Sequence, residues 1–180
     1  MATAGETMKP PIRRPLVLIF MGVSGSGKTT VGTLFAKRTG AIFFEGDEFH
    51  SPQNIEKMRR GVPLTDDDRA EWLRTLREII TRSLERGTFT VIACSALKAA
   101  YRDVLQGGDP RVQFVHLTGP RALIEERLKA RRNHFMPATL LDSQLATLEA
   151  PVGALTFSCE QSPDEIVNAL IQTLGFAGAD

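Results

Sequence analysis

With 180 residues, 42% of them hydrophobic, the chain has the length of one domain and enough apolar side chains for a single sizeable core. Its 22 Lys and Arg stand against 21 Asp and Glu, a net charge of +1, and that balance argues against non-specific nucleic-acid binding as the main activity. No apolar stretch approaches the roughly 18 residues that span a bilayer, and neither Cys94 nor Cys159 has a second Cys or a His at metal-ligand spacing, so a cytoplasmic protein with buried, reduced thiols is expected.

Residues 1–15 carry Lys9, Arg13 and Arg14 without an apolar signal core, and Pro10, Pro11 and Pro15 discourage regular structure. A mobile leader is expected there, followed by one domain over 16–180. The apolar run Leu16 to Met21 reads as a strand. It empties into Gly22–Thr29, GVSGSGKT, and a helical pattern follows with Val31, Leu34, Phe35 and Ala36, stopping at Gly40. Strand, glycine loop and helix in that order make a phosphate cradle: the glycines let backbone N–H groups turn inward on one anion, and the helix adds its positive end. Lys28 is then placed to reach the β and γ phosphates, and Thr29 offers a hydroxyl to Mg²⁺.

Ala41 to Phe44 is a second strand, and it ends in Glu45, Gly46, Asp47, Glu48, Phe49 and His50, at the rim where open α/β sheets bind ligands. Asp47 is expected beside the phosphates. Asn54 to Arg60 reads as a short basic helix, and Thr65 caps a longer one whose first turn holds Asp66, Asp67 and Asp68. Capping needs one or two acids, which leaves part of that run unexplained. Leu73, Leu76, Ile79, Ile80 and Leu84 carry the apolar stripe to Gly87.

Thr88 to Cys94 has the β-branched, apolar character of a central strand, and it ends in Ser95 where many motor ATPases place a metal-holding Asp. A helix with Tyr101 and Arg102 follows, then a fourth strand, Arg111 to Leu117. Pro120 opens a helix buried through Leu123, Ile124 and Leu128, with Arg127 and Arg131 on one face. The run from Arg131 to Pro137 stands between two helices, as an arginine-bearing lid over triphosphate would. Leu140, Leu141, Leu145 and Leu148 form another stripe, leaving Gln144 at its edge. Leu155 to Cys159 is a fifth strand, and Ser162, Pro163, Asp164 and Glu165 spell a capping box. The pattern predicts an α/β fold: a five-stranded parallel sheet with helices on both faces, in three layers.

A phosphate loop alone fits an ATPase, a GTPase, a kinase or a nucleotide sensor. No N-K-x-D string reads guanine, and the chain is too short for a motor's second lobe. A rim carboxylate and basic side chains around a polar space favour a small-molecule kinase, since phosphoryl transfer asks chiefly for positioning and charge neutralisation. The strings MGVSGSGKTT, GDEFH, NIEKM, PLTDDDRAEWL, ACSALKAAYRD, RLKARRNHFM and QLATLEAP, collinear from Leu16 to Pro151, resemble the gluconate kinases of the shikimate-kinase-like P-loop group. Beyond Pro151 the likeness fades, and Ser158 to Gln161 depart from the family pattern around the adenine.

The resemblance implies a P-loop kinase fold and transfer of phosphoryl from ATP, with Mg²⁺, to the 6-hydroxyl of D-gluconate. It assigns ATP to Gly22, Val23, Ser24, Gly25, Ser26, Gly27, Lys28, Thr29 and Thr30 with Arg127 and Arg131, and Mg²⁺ to Thr29 and Asp47. Asp47 would orient and deprotonate the hydroxyl while Lys28 and Arg127 neutralise charge. The acceptor falls to Asp47, His50, Lys57, Arg69, Ser95, Lys98, Arg102, His134 and Gln144, without fixing which holds its carboxylate. A homodimer, with neither nucleic acid nor membrane as partner, is implied. Shikimate or a nucleoside monophosphate as acceptor, and a sensor that only binds and hydrolyses nucleotide, are the alternatives. Ser95, Ala96, Leu97 and Lys98 stand where a shikimate kinase carries three glycines.

Overall fold

The computed structural model describes residues 16–130 and 140–176. Five strands, β1 (Val17–Met21), β2 (Ile42–Glu45), β3 (Thr90–Ala93), β4 (Val112–Thr118) and β5 (Leu155–Ser158), form one parallel sheet in the order β2-β3-β1-β4-β5. The leader 1–15, and the stretch 131–139 on which Arg131, His134 and the expected lid fall, lie outside the described residues.

Central β1 shows why the sheet needs two helical layers. Its five residues are all fully buried, and alternate side chains point to opposite faces. Val17, Ile19 and Met21 pack with Trp72, Leu76 and Ile80 of α3 (Asp66–Arg86) and with Leu105 of α4 (Ala99–Gln106). Leu18 and Phe20 pack instead with Val31 and Phe35 of α1 (Lys28–Thr39) and with Ile166, Val167 and Leu170 of α7 (Pro163–Leu174).

Because the strands are parallel, the segments after β1, β2 and β3 all emerge at one edge. A third cluster, Val23, Leu97, Ile124, Leu128, Leu141 and Cys159, closes that edge beneath α5 (Arg121–Ala130) and α6 (Leu141–Thr147). No helix among the described residues is long and apolar enough to cross a membrane.

Two of the three aspartates tie helices together. Asp68 completes a capping box with Thr65 and also accepts from Lys57 Nζ at 2.6 Å, tying α3 to α2 (Pro52–Arg59). Asp66 accepts from Lys98 Nζ at 2.7 Å and from the Tyr101 hydroxyl, tying α3 to the start of α4.

Candidate active site

The phosphate loop leaves β1 at Gly22, whose φ of 139° and close approach to the Leu117 carbonyl, 2.4 Å from where a Cβ would stand, exclude a side chain. Gly22 N–H donates to Ser95 O at 3.2 Å, and Lys28 Nζ folds over the loop onto Val23 O at 3.0 Å. Gln144 of α6 reaches across: its Oε1 accepts from Ser24 N–H at 2.7 Å, and its Nε2 donates to Ser24 Oγ at 3.3 Å. Ser26 Oγ is buried without a hydrogen-bond partner.

Thr29 Oγ1 donates to Glu45 Oε2 at 2.6 Å. Glu45 ends β2, and its second oxygen receives Asp47 N–H in a long contact of 3.5 Å. Burial raises the pKa of the Glu45 carboxyl, against the opposing pull of the Thr29 hydroxyl. The sequence pattern points to Asp47 and leaves Glu45 unassigned, although an acid two residues earlier, at the end of the strand, is a signal for it.

One cleft collects Ser24, Lys28, Asp47, His50, Arg69, Ser95 and Gln144, floored by Met58, Leu64 and Leu97. Five of the nine expected acceptor residues, Asp47, His50, Arg69, Ser95 and Gln144, therefore converge on the phosphate-loop lysine. Arg69 donates through Nη1 to the Leu64 carbonyl, and its guanidinium carbon lies 5.7 Å from the centre of the Tyr101 ring. His50 is buried, and burial holds its imidazole down at about 4, partly opposed by the nearby charge of Asp47.

Three expected acceptor residues do not line this cleft. Lys57 and Lys98 are held by Asp68 and Asp66. Arg102 is buried behind the loop, where its Nη1 donates to the carbonyls of Ala96 at 2.9 Å and Leu97 at 3.1 Å; it lines a separate cleft with Gln106, Gln113 and Glu149. Burial lowers its pKa, against the carboxylates of Glu149 and Asp103. Its work is to brace Ala96, which at a φ of 44° sits in the left-handed region. Glu149 braces the same loop, its Oε2 accepting from Ala99 N–H at 2.6 Å. The ninth, His134, lies outside the described residues, as does Arg131.

On the other side of the phosphate loop, Gly25, Ser26, Gly27, Thr30 and Arg127 share a second cleft with Cys159, Gln161, Pro163 and Ile166. Arg127 Nη2 donates to Cys159 O at 2.8 Å, fixing the guanidinium at the wall of that cleft. Of the residues Ser158 to Gln161 that depart from the expected pattern, Cys159 and Gln161 thus face the same space as the loop that would hold the triphosphate.

A family model described as an AAA domain matches residues 17–151. The gluconokinase of Gluconobacter oxydans (strain 621H) is 46% identical over 162 residues, covering 88% of this chain and 91% of that protein. The chain belongs to the gluconokinase family. Among solved structures, a sugar kinase from Janibacter sp. HTCC2649 superposes with a TM-score of 0.84 at 48% identity, covering 89% of this chain and 95% of that one. A gluconokinase from Sinorhizobium meliloti 1021 gives 0.78 at 44% identity, over 91% and 93%. Gluconokinase likeness is therefore both sequential and architectural, and the P-loop kinase fold expected from the sequence is the one found.

Proposed function

We propose that the protein transfers the γ phosphoryl of ATP to the 6-hydroxyl of D-gluconate, giving 6-phospho-D-gluconate and ADP. The observation that carries this is the single cleft in which Lys28 meets Asp47, His50, Arg69, Ser95 and Gln144, in a chain of the gluconokinase family. Other acceptors, shikimate or a nucleoside monophosphate, are not favoured by these relatives.

In this reading the nucleotide occupies the second cleft, its phosphates wrapped by residues 22–30 with Arg127 alongside. Asp47 takes the proton of the attacking hydroxyl as Lys28 and Arg127 balance the charge moving with the phosphoryl group. Arg69 holds the gluconate carboxylate. Arg69 lines the cleft whereas Lys57, Lys98 and Arg102 do not, and a guanidinium suits a carboxylate. His50 and Gln144 supply donors and acceptors for the hydroxyls.

The donor set also fits Mg²⁺. Thr29 Oγ1 and Glu45 form a hydroxyl–carboxylate pair at 2.6 Å, and the described residues contain no cluster of three or more His, Cys, Asp or Glu that would hold a metal alone. Mg²⁺ in such sites takes one or two protein oxygens and completes its shell from phosphate and water. When bound, the ion supplies positive charge to the phosphate oxygens. The assignment therefore moves from Thr29 with Asp47 to Thr29 with Glu45, leaving Asp47 to the acceptor. The homodimer implied by the sequence resemblance, and the cytoplasmic setting expected from the cysteines and the short apolar runs, belong to the same proposal.

A coupled assay for ADP with gluconate, shikimate and AMP in parallel tests the reading. Gluconate alone should drive turnover; hydrolysis indifferent to every acceptor would reduce the protein to a nucleotide sensor.

A further inference from the structure

Trp72, the single tryptophan of the chain, lies in α3 beneath the acceptor cleft and is 2% exposed. Its Nε1–H donates to Gly46 O at 2.7 Å. Its ring stacks on the His50 imidazole, with centroids 4.3 Å apart and planes 15° apart. Gly46 and His50 bracket Asp47 in the short 3-10 turn Gly46–Phe49 and its C-terminal cap. The turn has no slack on the sheet side either, since a Cβ on Gly46 would stand 2.4 Å from Ala93 O.

A tryptophan that only fills core volume needs neither a parallel partner at the cleft wall nor a bond to the backbone preceding the acidic residue. We propose that Trp72 is a positioning residue for the acceptor: one rigid side chain fixes the turn bearing Asp47 through the Gly46 carbonyl, and the plane of His50 through stacking. Phosphoryl transfer depends on in-line placement of the hydroxyl, so the acceptor side of the reaction inherits its geometry from α3. The inference rests on the reading of this cleft as the acceptor site.

Trp72→Phe tests it, because the ring and most of the volume remain while the N–H is lost. Amide exchange over residues 46–50 should accelerate about tenfold or more in the variant, with residues 22–29 unchanged. The kcat/KM for gluconate should fall about tenfold or more while the KM for ATP stays within about twofold. Unchanged exchange over 46–50, or equal losses on both substrates, would overturn the proposal. Tryptophan fluorescence of the wild-type protein gives a readout free of any folding defect: titration with gluconate should shift the emission through His50, and a flat titration in an enzyme that turns gluconate over would defeat the positioning role alone. Absence of gluconate turnover in the wild type would instead defeat the functional reading, and the exchange comparison, which uses no acceptor, would still decide whether Trp72 fixes the turn.

Discussion

The hydroxyl of Thr29 and the carboxylate of Glu45 lie 2.6 Å apart, joining the end of the phosphate loop to the end of β2. If these oxygens face Mg²⁺, Glu45→Gln should raise the Mg²⁺ concentration for half-maximal rate by about tenfold, since the carboxylate favours the ion by its charge. Thr29→Ala in that background should add less than it does alone, because the two groups act on one ion. Mg²⁺ titration of the initial rate decides, and an unshifted curve for Glu45→Gln returns the metal to Asp47.

Lys28→Ala should abolish turnover. Asp47→Asn should leave ATP binding by calorimetry nearly intact while kcat falls about a hundredfold or more, the scale of a lost general base. Wild-type turnover in the Asp47 variant would take the proton-transfer role away from it.

Two arginines expected to share one role are separated by the structure, and kinetics will separate them again. Arg69→Ala should raise the KM for gluconate by about ten- to a hundredfold with little change for ATP, reflecting a lost charge-assisted contact. Arg102→Ala should instead lower stability by about 2 kcal/mol, since it leaves the Ala96 carbonyl without its buried donor, while the Leu97 carbonyl keeps the Glu149 N–H at 2.9 Å. Thermal melts beside Michaelis curves distinguish the two, and a gluconate-specific KM effect in Arg102→Ala with an unchanged melt would bring Arg102 back to the acceptor.

Acid should destabilise the fold through His50. Its imidazole titrates at about 4 when folded and near 6.5 when unfolded, so between those values the unfolded chain binds the extra proton and stability falls with pH, by about 3 kcal/mol at most. Buried His116 acts in the same direction, whereas the raised carboxyl of Glu45 opposes it. Asp66 and Asp68, held low by Lys98 and Lys57, lose their contribution only further into acid. Denaturant unfolding of wild type and His50→Gln across pH 4–7 should show a shallower slope for the variant; parallel slopes would assign the acid loss elsewhere.

What the sequence revealed depends on how local the signal is. The GVSGSGKT string, five apolar runs and their intervening helices required only short-range patterns, and the sheet follows from them. Asp47 was legible at the end of the second strand, whereas His50, Arg69, Ser95 and Gln144 entered through the family resemblance; the structure brings all five to one cleft. Lys57, Lys98 and Arg102, named through the family resemblance, stand off that cleft because a matched string says nothing about the partner across the gap: two found aspartates and one found carbonyls. Glu45 was hidden by its neighbour, since a carboxylate that ends a strand and one that starts the next turn look alike until the threonine opposite is known.

The Ser24–Gln144 tie spans 120 positions of the chain. During synthesis, a nascent polypeptide that has emerged only as far as α5 already displays every letter of the nucleotide motif yet lacks the amide that shapes one of its turns. The phosphate loop therefore gains its Gln144 contact only with the arrival of α6, and the second cleft beside it is completed later still, by Cys159, Gln161 and Pro163.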